Sequence, residues 1–338
     1  MKSNAGVMLF SARVFKNNKR YLMINILTIT GPIFLSIGLG FAATRRGMFS
    51  KLDGQVLGRF VLNFALPAML FNALSQRNFS EVMNLNYLLA YGLGSLFAFA
   101  VGFGAWRWWQ KKSLSESAMV AMGVCSSNSG YMGYPILLQF LGPAAGVGFA
   151  LTLLVENLLT IPLALAIADS SESKHLSWQH TVMQSFKRLA KMPLMQAMVL
   201  GFAFSLLDWH LPEVLSKSVN LFAASAAAVA LFVNGGSLVG LRVSGLLQKV
   251  RWIAVGKLVL HPLAVCLMLM VVGPMPASLK VSAVLLASMP MLGIYPLLAQ
   301  RHGHEGFCAA ALLVTTVASF FTISGVLWVM SELPGWHA

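Results

Sequence analysis

The stretch CSSNSGYMGYPILLQFLG, Cys125 to Gly142, lies in a long apolar run yet sets Ser126, Ser127, Asn128, Ser129 and Gly130 in succession, with Pro135 soon after. Consecutive polar side chains point all round a helix and cannot be hidden on one packed face. A helix broken between Ser126 and Gly130 is the economical reading. A partial echo stands at Ser288 to Gly303, SMPMLGIYPLLAQRHG. Aligned on Tyr134-Pro135 and Tyr295-Pro296, each stretch has a Gly seven residues beyond its Pro, at Gly142 and Gly303, and Gly293 repeats Gly133 one residue out of register. The matching break is expected between Ser288 and Tyr295, flanked by Pro290 and Pro296.

Composition places these stretches in a membrane. With 57% hydrophobic and 10% charged residues and a mean hydropathy of +0.74, the 338-residue chain has too little polar surface to cover a water-soluble core. Apolar segments of about 18 to 25 residues recur, each long enough to cross the hydrocarbon as a helix. The shorter, alternating strands of a membrane β-barrel are not present in the pattern. The net charge of +14 lies in short clusters between apolar segments, so topology explains it and no nucleic-acid partner is expected.

Ten spans are expected: 23–43, 60–74, 85–106, 118–141, 147–168, 193–207, 221–241, 252–272, 281–299 and 308–330. The long polar connection 169–191 divides them into a first five-helix repeat at 23–168 and a second at 192–330. A basic lead precedes them at 1–22 and a tail follows at 331–338; Met23 is a candidate native start. An odd number of spans in each half makes the second half enter from the opposite side, the mark of an inverted repeat. The fold class is therefore an all-α polytopic membrane protein, about ten transmembrane helices in two inverted repeats with broken crossover helices four and nine. With both termini outside, fifteen Lys and Arg fall in cytoplasmic connections and three in outer ones, the lead excepted, as expected for an inner-membrane protein.

Two breaks meeting at mid-depth would make a substrate site, because the second half-helix presents free N–H groups with a positive dipole end suited to a carboxylate. Kinks and small-residue packing are the competing explanation for either stretch alone. The candidate substrate residues are Ser127, Asn128, Ser129, Gly130, Gly133, Tyr134 and Pro135 in the first stretch and Ser288, Pro290, Gly293, Tyr295 and Pro296 in the second. Glu156 is the only acidic residue deep in any expected span, and intramembrane acids often relay protons. Lys257 and His261, one helical turn apart, are a further candidate pair, with snorkelling of Lys257 to the cytoplasmic edge as the alternative. Asn63 and Asn234 occupy matching spans two and seven and are candidates for supporting the crossover.

No cofactor or metal is expected. Cys125, Cys266 and Cys308 lack ligand spacing, and His302-Gly303-His304 has no third ligand nearby, so it reads as a loop. A P-loop, a GxSxG elbow and an HExxH helix are all absent from the sequence, which argues against ATP use and hydrolysis. An intramembrane enzyme and a non-transporting sensor remain the alternatives to a carrier.

Several motifs resemble the auxin efflux carrier family of secondary transporters, which includes bacterial malate and malonate permeases. They are TGPIFLSIGLGFAATRRGMFS in span one, VLNFALPAMLF in span two, Asn128, Gly133, Pro135 and Gly142 in span four, ALFVNGGSL in span seven, and SMP followed by LLAQRHG in span nine. The likeness covers residues 23 to 330. It implies a crossover of spans four and nine beside the substrate site and rocking between a scaffold and a transport domain. Asn128, Pro135 and Pro290 match the family's crossover pattern; Tyr295-Pro296 departs from it, since a small polar residue is expected there. Expected partners are a small organic anion, a coupling proton and the lipid bilayer, with a homodimer as an open assembly.

Overall fold

The computed structural model describes residues 27, 28, 30–76, 83–170, 190–241 and 247–332. The lead, the Met23 start, most of the polar connection and nearly all of the C-terminal tail lie outside the described residues.

The described chain is helical, and local chemistry sets where the helices begin. Helix α1 covers 30–45. Helix α2, Lys51–Ser75, opens on a capping box: Ser50 Oγ accepts from Asp53 N at 3.2 Å and Asp53 Oδ2 accepts from Ser50 N at 2.8 Å. Asn84 caps α3, Leu85–Trp109, through Tyr87 N, and Ser113 caps α4, Leu114–Cys125, through Glu116 N. A wide turn at Ser129–Gly133 leads into α5, Tyr134–Leu141. Helix α6 comprises Ala145–Val155, a π-type turn at Glu156–Thr160, and Ile161–Ser170. Then come α7, Pro193–Leu207; α8, Glu213–Ser237; α9, Leu247–Val271; α10, Ala277–Ala287; α11, Tyr295–Gln300; and α12, Glu305–Glu332. Among the described residues, six helical stretches are long and apolar enough to cross a membrane.

Several helices outrun the apolar segments that announced them. Helix α2 begins at Lys51 rather than 60, and α8 at Glu213 rather than 221. Hydropathy marks only the part that wants hydrocarbon; unbroken backbone bonding carries each helix further through an exposed first turn, and at α2 the Ser50 capping box fixes the start.

Two groups of helices result. In one, α2 packs on α7 and α8, and α1 packs on α8. In the other, α3 packs on α4 and α9, α10 on α6 and α9, and α12 on α9 and α11. They meet where α5 lies against α8 and where α6 lies against α2.

Two interruptions sit at this seam. Helix α4 stops at Cys125, Ser126 is extended, and the chain resumes helical form at Ser129. Helix α10 stops at Ala287 and α11 starts at Tyr295. The unwound segments bond to each other: Asn128 N donates to Pro290 O at 2.8 Å, and Ser127 pairs with Met291 as an antiparallel bridge. Backbone at such depth survives only when protein satisfies it, and here each interruption satisfies the other. The short half-helices α5 and α11 each end near a Gly with positive φ, Gly142 at 58° and Gly303 at 71°, a conformation that side chains with a Cβ resist.

Candidate functional site

The meeting of the interruptions gathers a cluster of buried polar side chains. Ser126, Ser127, Asn128, Ser129, Glu156, Asn234, Lys257, His261 and Ser288 are all at most 3% exposed. Isolated charges in such a place are costly, so their partners decide what the site can do.

Ser127 and Asn128 are successive residues of an extended segment, and they serve opposite sides. Asn128 Nδ2 donates to Asn234 Oδ1 on α8 at 3.1 Å, and Asn128 O accepts from Met132 N and Gly133 N, closing the wide first turn of the next half-helix. Among the described residues, the buried amide nitrogen Asn234 Nδ2 has no acceptor. A buried donor left unpaired costs about 1–3 kcal/mol, so this one needs a physical reason. A Cβ placed on Gly293 would lie 3.8 Å from Asn128 Nδ2, so the second interruption borders the same amide.

On the other side, Ser127 stands between two charges. Lys257 Nζ donates to Ser127 Oγ at 2.6 Å and to Ala287 O at 3.2 Å, and lies 2.8 Å from His261 Nδ1. Glu156 Oε1 accepts from Ser127 N at 3.0 Å, from Ser129 Oγ at 2.9 Å and from Tyr91 OH at 3.2 Å. His261 Nε2 lies 2.9 Å from Ser95 Oγ. Lys257 and Glu156, both out of water, thus share one backbone residue as intermediary. The π-type turns in α6 and α9 begin at Glu156 and just before Lys257, and such turns often mark functional sites.

Some expectations are corrected. Lys257 does not snorkel to an edge: it is fully buried, because the carbonyl end of α10 and the hydroxyl of Ser127 give its ammonium partners at depth. Asn63 faces outward and donates to Arg59 O on its own helix, so it gives the crossing nothing. Tyr295 turns away from Asn128; its hydroxyl donates to Met119 O on α4 at 2.8 Å, and a Cβ on Gly123 would fall 2.6 Å from that hydroxyl. Ser288 Oγ bonds back to Val284 O, and the Tyr134 ring packs on Phe149 with centroids 5.3 Å apart. Pro135 is buried in α5, Pro296 lies partly exposed in the first turn of α11, and Gly130 approaches Leu66 of α2. Gly133 has a packing reason: a Cβ there would sit 2.6 Å from Leu286 Cδ2 and 3.1 Å from Met289 Cγ, on the second arm.

Sequence reading missed the contribution of α3. Tyr87, Tyr91 and Ser95 recur at four-residue spacing within an apolar span, which aligns them on one helical face. Tyr87 OH reaches Gly148 O and Thr152, Tyr91 OH reaches Glu156, and Ser95 reaches His261. That stripe was the available signal.

Known proteins resemble this chain in sequence. The family described as Membrane transport protein matches residues 26–327. A protein of Rhizobium meliloti named "Putative malonate transporter" is 27% identical over 309 residues, covering 89% of this chain and 96% of its own. The "Uncharacterized transporter YfdV" of Escherichia coli K12 is 26% identical over 240 residues, covering 70% of this chain and 76% of its own. "Auxin efflux carrier component 8" of Arabidopsis thaliana is 20% identical over 268 residues, covering 62% of this chain and 71% of its own. With a family match across nearly the whole helical chain, this multi-pass membrane protein belongs to the membrane transport protein family, that of the auxin efflux carriers.

Proposed function

We propose that the chain is a secondary carrier for a small organic anion, a mono- or dicarboxylate, working by alternating access around the crossing of its two interruptions. The observation that carries this is the pairing of the unwound segments, Asn128 N to Pro290 O, beside a buried Asn234 amide that lacks an acceptor. A carboxylate oxygen supplies that acceptor, and the start of the half-helix after Asn128 adds a favourable dipole. The malonate in one relative's name agrees with a dicarboxylate.

In this proposal the helices form ten spans in two inverted five-helix repeats, in the inner membrane with both termini outside. The α1, α2, α7 and α8 group serves as scaffold and the other group moves against it. Asn128 and Asn234 lie on opposite sides of that seam, so a ligand held by both amides senses the relative position of the groups.

The test is counterflow in proteoliposomes. Purified protein should exchange labelled malonate or a related carboxylate, and Asn128→Ala should lower the rate at least tenfold while thermal unfolding stays cooperative. Folded protein that exchanges no mono- or dicarboxylate would refute the proposal.

A further inference from the structure

We propose that Lys257 is a resident cation: its side-chain nitrogen fills the position at which a crossing of broken helices would otherwise recruit a metal cation such as sodium. In broken-helix carriers, unwound backbone and the carbonyl ends of half-helices coordinate the coupling ion. Lys257 Nζ has such a ligand set, with Ser127 Oγ from the first interruption at 2.6 Å and Ala287 O, the last residue of α10, at 3.2 Å. The third contact is His261 Nδ1 at 2.8 Å. An ammonium has no lone pair to offer, so Nδ1 accepts, and Nε2 carries the ring proton and donates it to Ser95 Oγ.

Charge completes the comparison. Helices α4 and α10 both end here, at Cys125 and Ala287, and helix C-termini favour cations. The three groups touching the ammonium are neutral, and the nearest anion, Glu156, sits one residue away on the other side of Ser127. Lys257 is fully buried, so a solution cation has no room to share the position while the side chain is present. Two consequences follow. The protein should be indifferent to sodium and potassium, and removing the side chain should create a cation site where none existed. Glu156 would then be a buried carboxylate without its counter-charge, lining a space edged by Ser127 Oγ, Ala287 O and His261 Nδ1.

This inference rests on the carrier proposal only for its bearing on transport, and its test does not use transport. Thermal unfolding of the purified full chain is compared in sodium, potassium, lithium and N-methylglucamine chloride at constant ionic strength. Wild-type protein should unfold at one temperature in all four. Lys257→Ala should unfold earlier in N-methylglucamine and recover by several degrees in sodium, whereas Glu156→Gln/Lys257→Ala should show no such recovery. Sodium stabilisation of wild type would overturn the proposal, as would equal responses of the single and double variants. If Lys257→Ala cannot be purified folded, the wild-type comparison and sodium-free carboxylate binding decide, since a sodium requirement in either sinks it. Absent counterflow with the cation pattern intact would count against the carrier proposal alone.

Discussion

Glu156 and Lys257 should be energetically coupled although they do not touch. The perturbation is a double-mutant cycle of Glu156→Gln and Lys257→Met, changes that keep side-chain size close to native. One residue, Ser127, bonds both groups, at 3.0 Å to Glu156 and 2.6 Å to Lys257. Charges separated by such a relay, roughly 6 Å, attract by about 3 kcal/mol at an effective dielectric constant of about 20. Breaking a buried pair from one side also strands the other charge, so each single change should cost about 3–5 kcal/mol. The double change strands neither charge and should cost about 2–4 kcal/mol less than the sum of the singles, a coupling well above the additivity expected of independent sites. Unfolding in mixed micelles titrated with a denaturing detergent gives the four free energies. Single costs that add within about 0.5 kcal/mol would refute the shared-relay electrostatics, since uncoupled sites behave that way.

Two further outcomes test the geometry. Gly133→Val should destabilise the protein by about 2 kcal/mol or more, because the new side chain meets Leu286 and Met289 of the other arm, whereas Gly293→Ala, at ordinary contact distance from Asn128, should cost less than about 0.5 kcal/mol. Equal costs in an unfolding titration would show that the arms do not close as described. Tyr295→Phe should lose about 1 kcal/mol of stability with its bond to Met119 O while counterflow persists. Loss of counterflow at unchanged stability would instead put that hydroxyl on the substrate.

Much of this protein is legible along the chain, because the determining interactions are local. Apolar runs exceed what water tolerates, so the membrane class follows from composition, and the polar run from Ser126 to Gly130 stands where the helix stops. Caps at Ser50, Asn84 and Ser113 are local too, each acting on a backbone group three residues away, although hydropathy passed over them. What the tertiary structure decided is partnership. Ser127 and Lys257 are 130 residues apart, Asn128 and Asn234 106, and no local rule pairs them. The same holds for Asn63 and Tyr295, whose residue types suited the crossing and whose helical faces carried them elsewhere. Hydropathy and turn chemistry determine where a chain enters the bilayer and where it breaks. Which polar groups meet there depends on packing between helices from both halves, and desolvation makes those meetings obligatory, since a charge or amide at that depth must find whatever partner the fold brings.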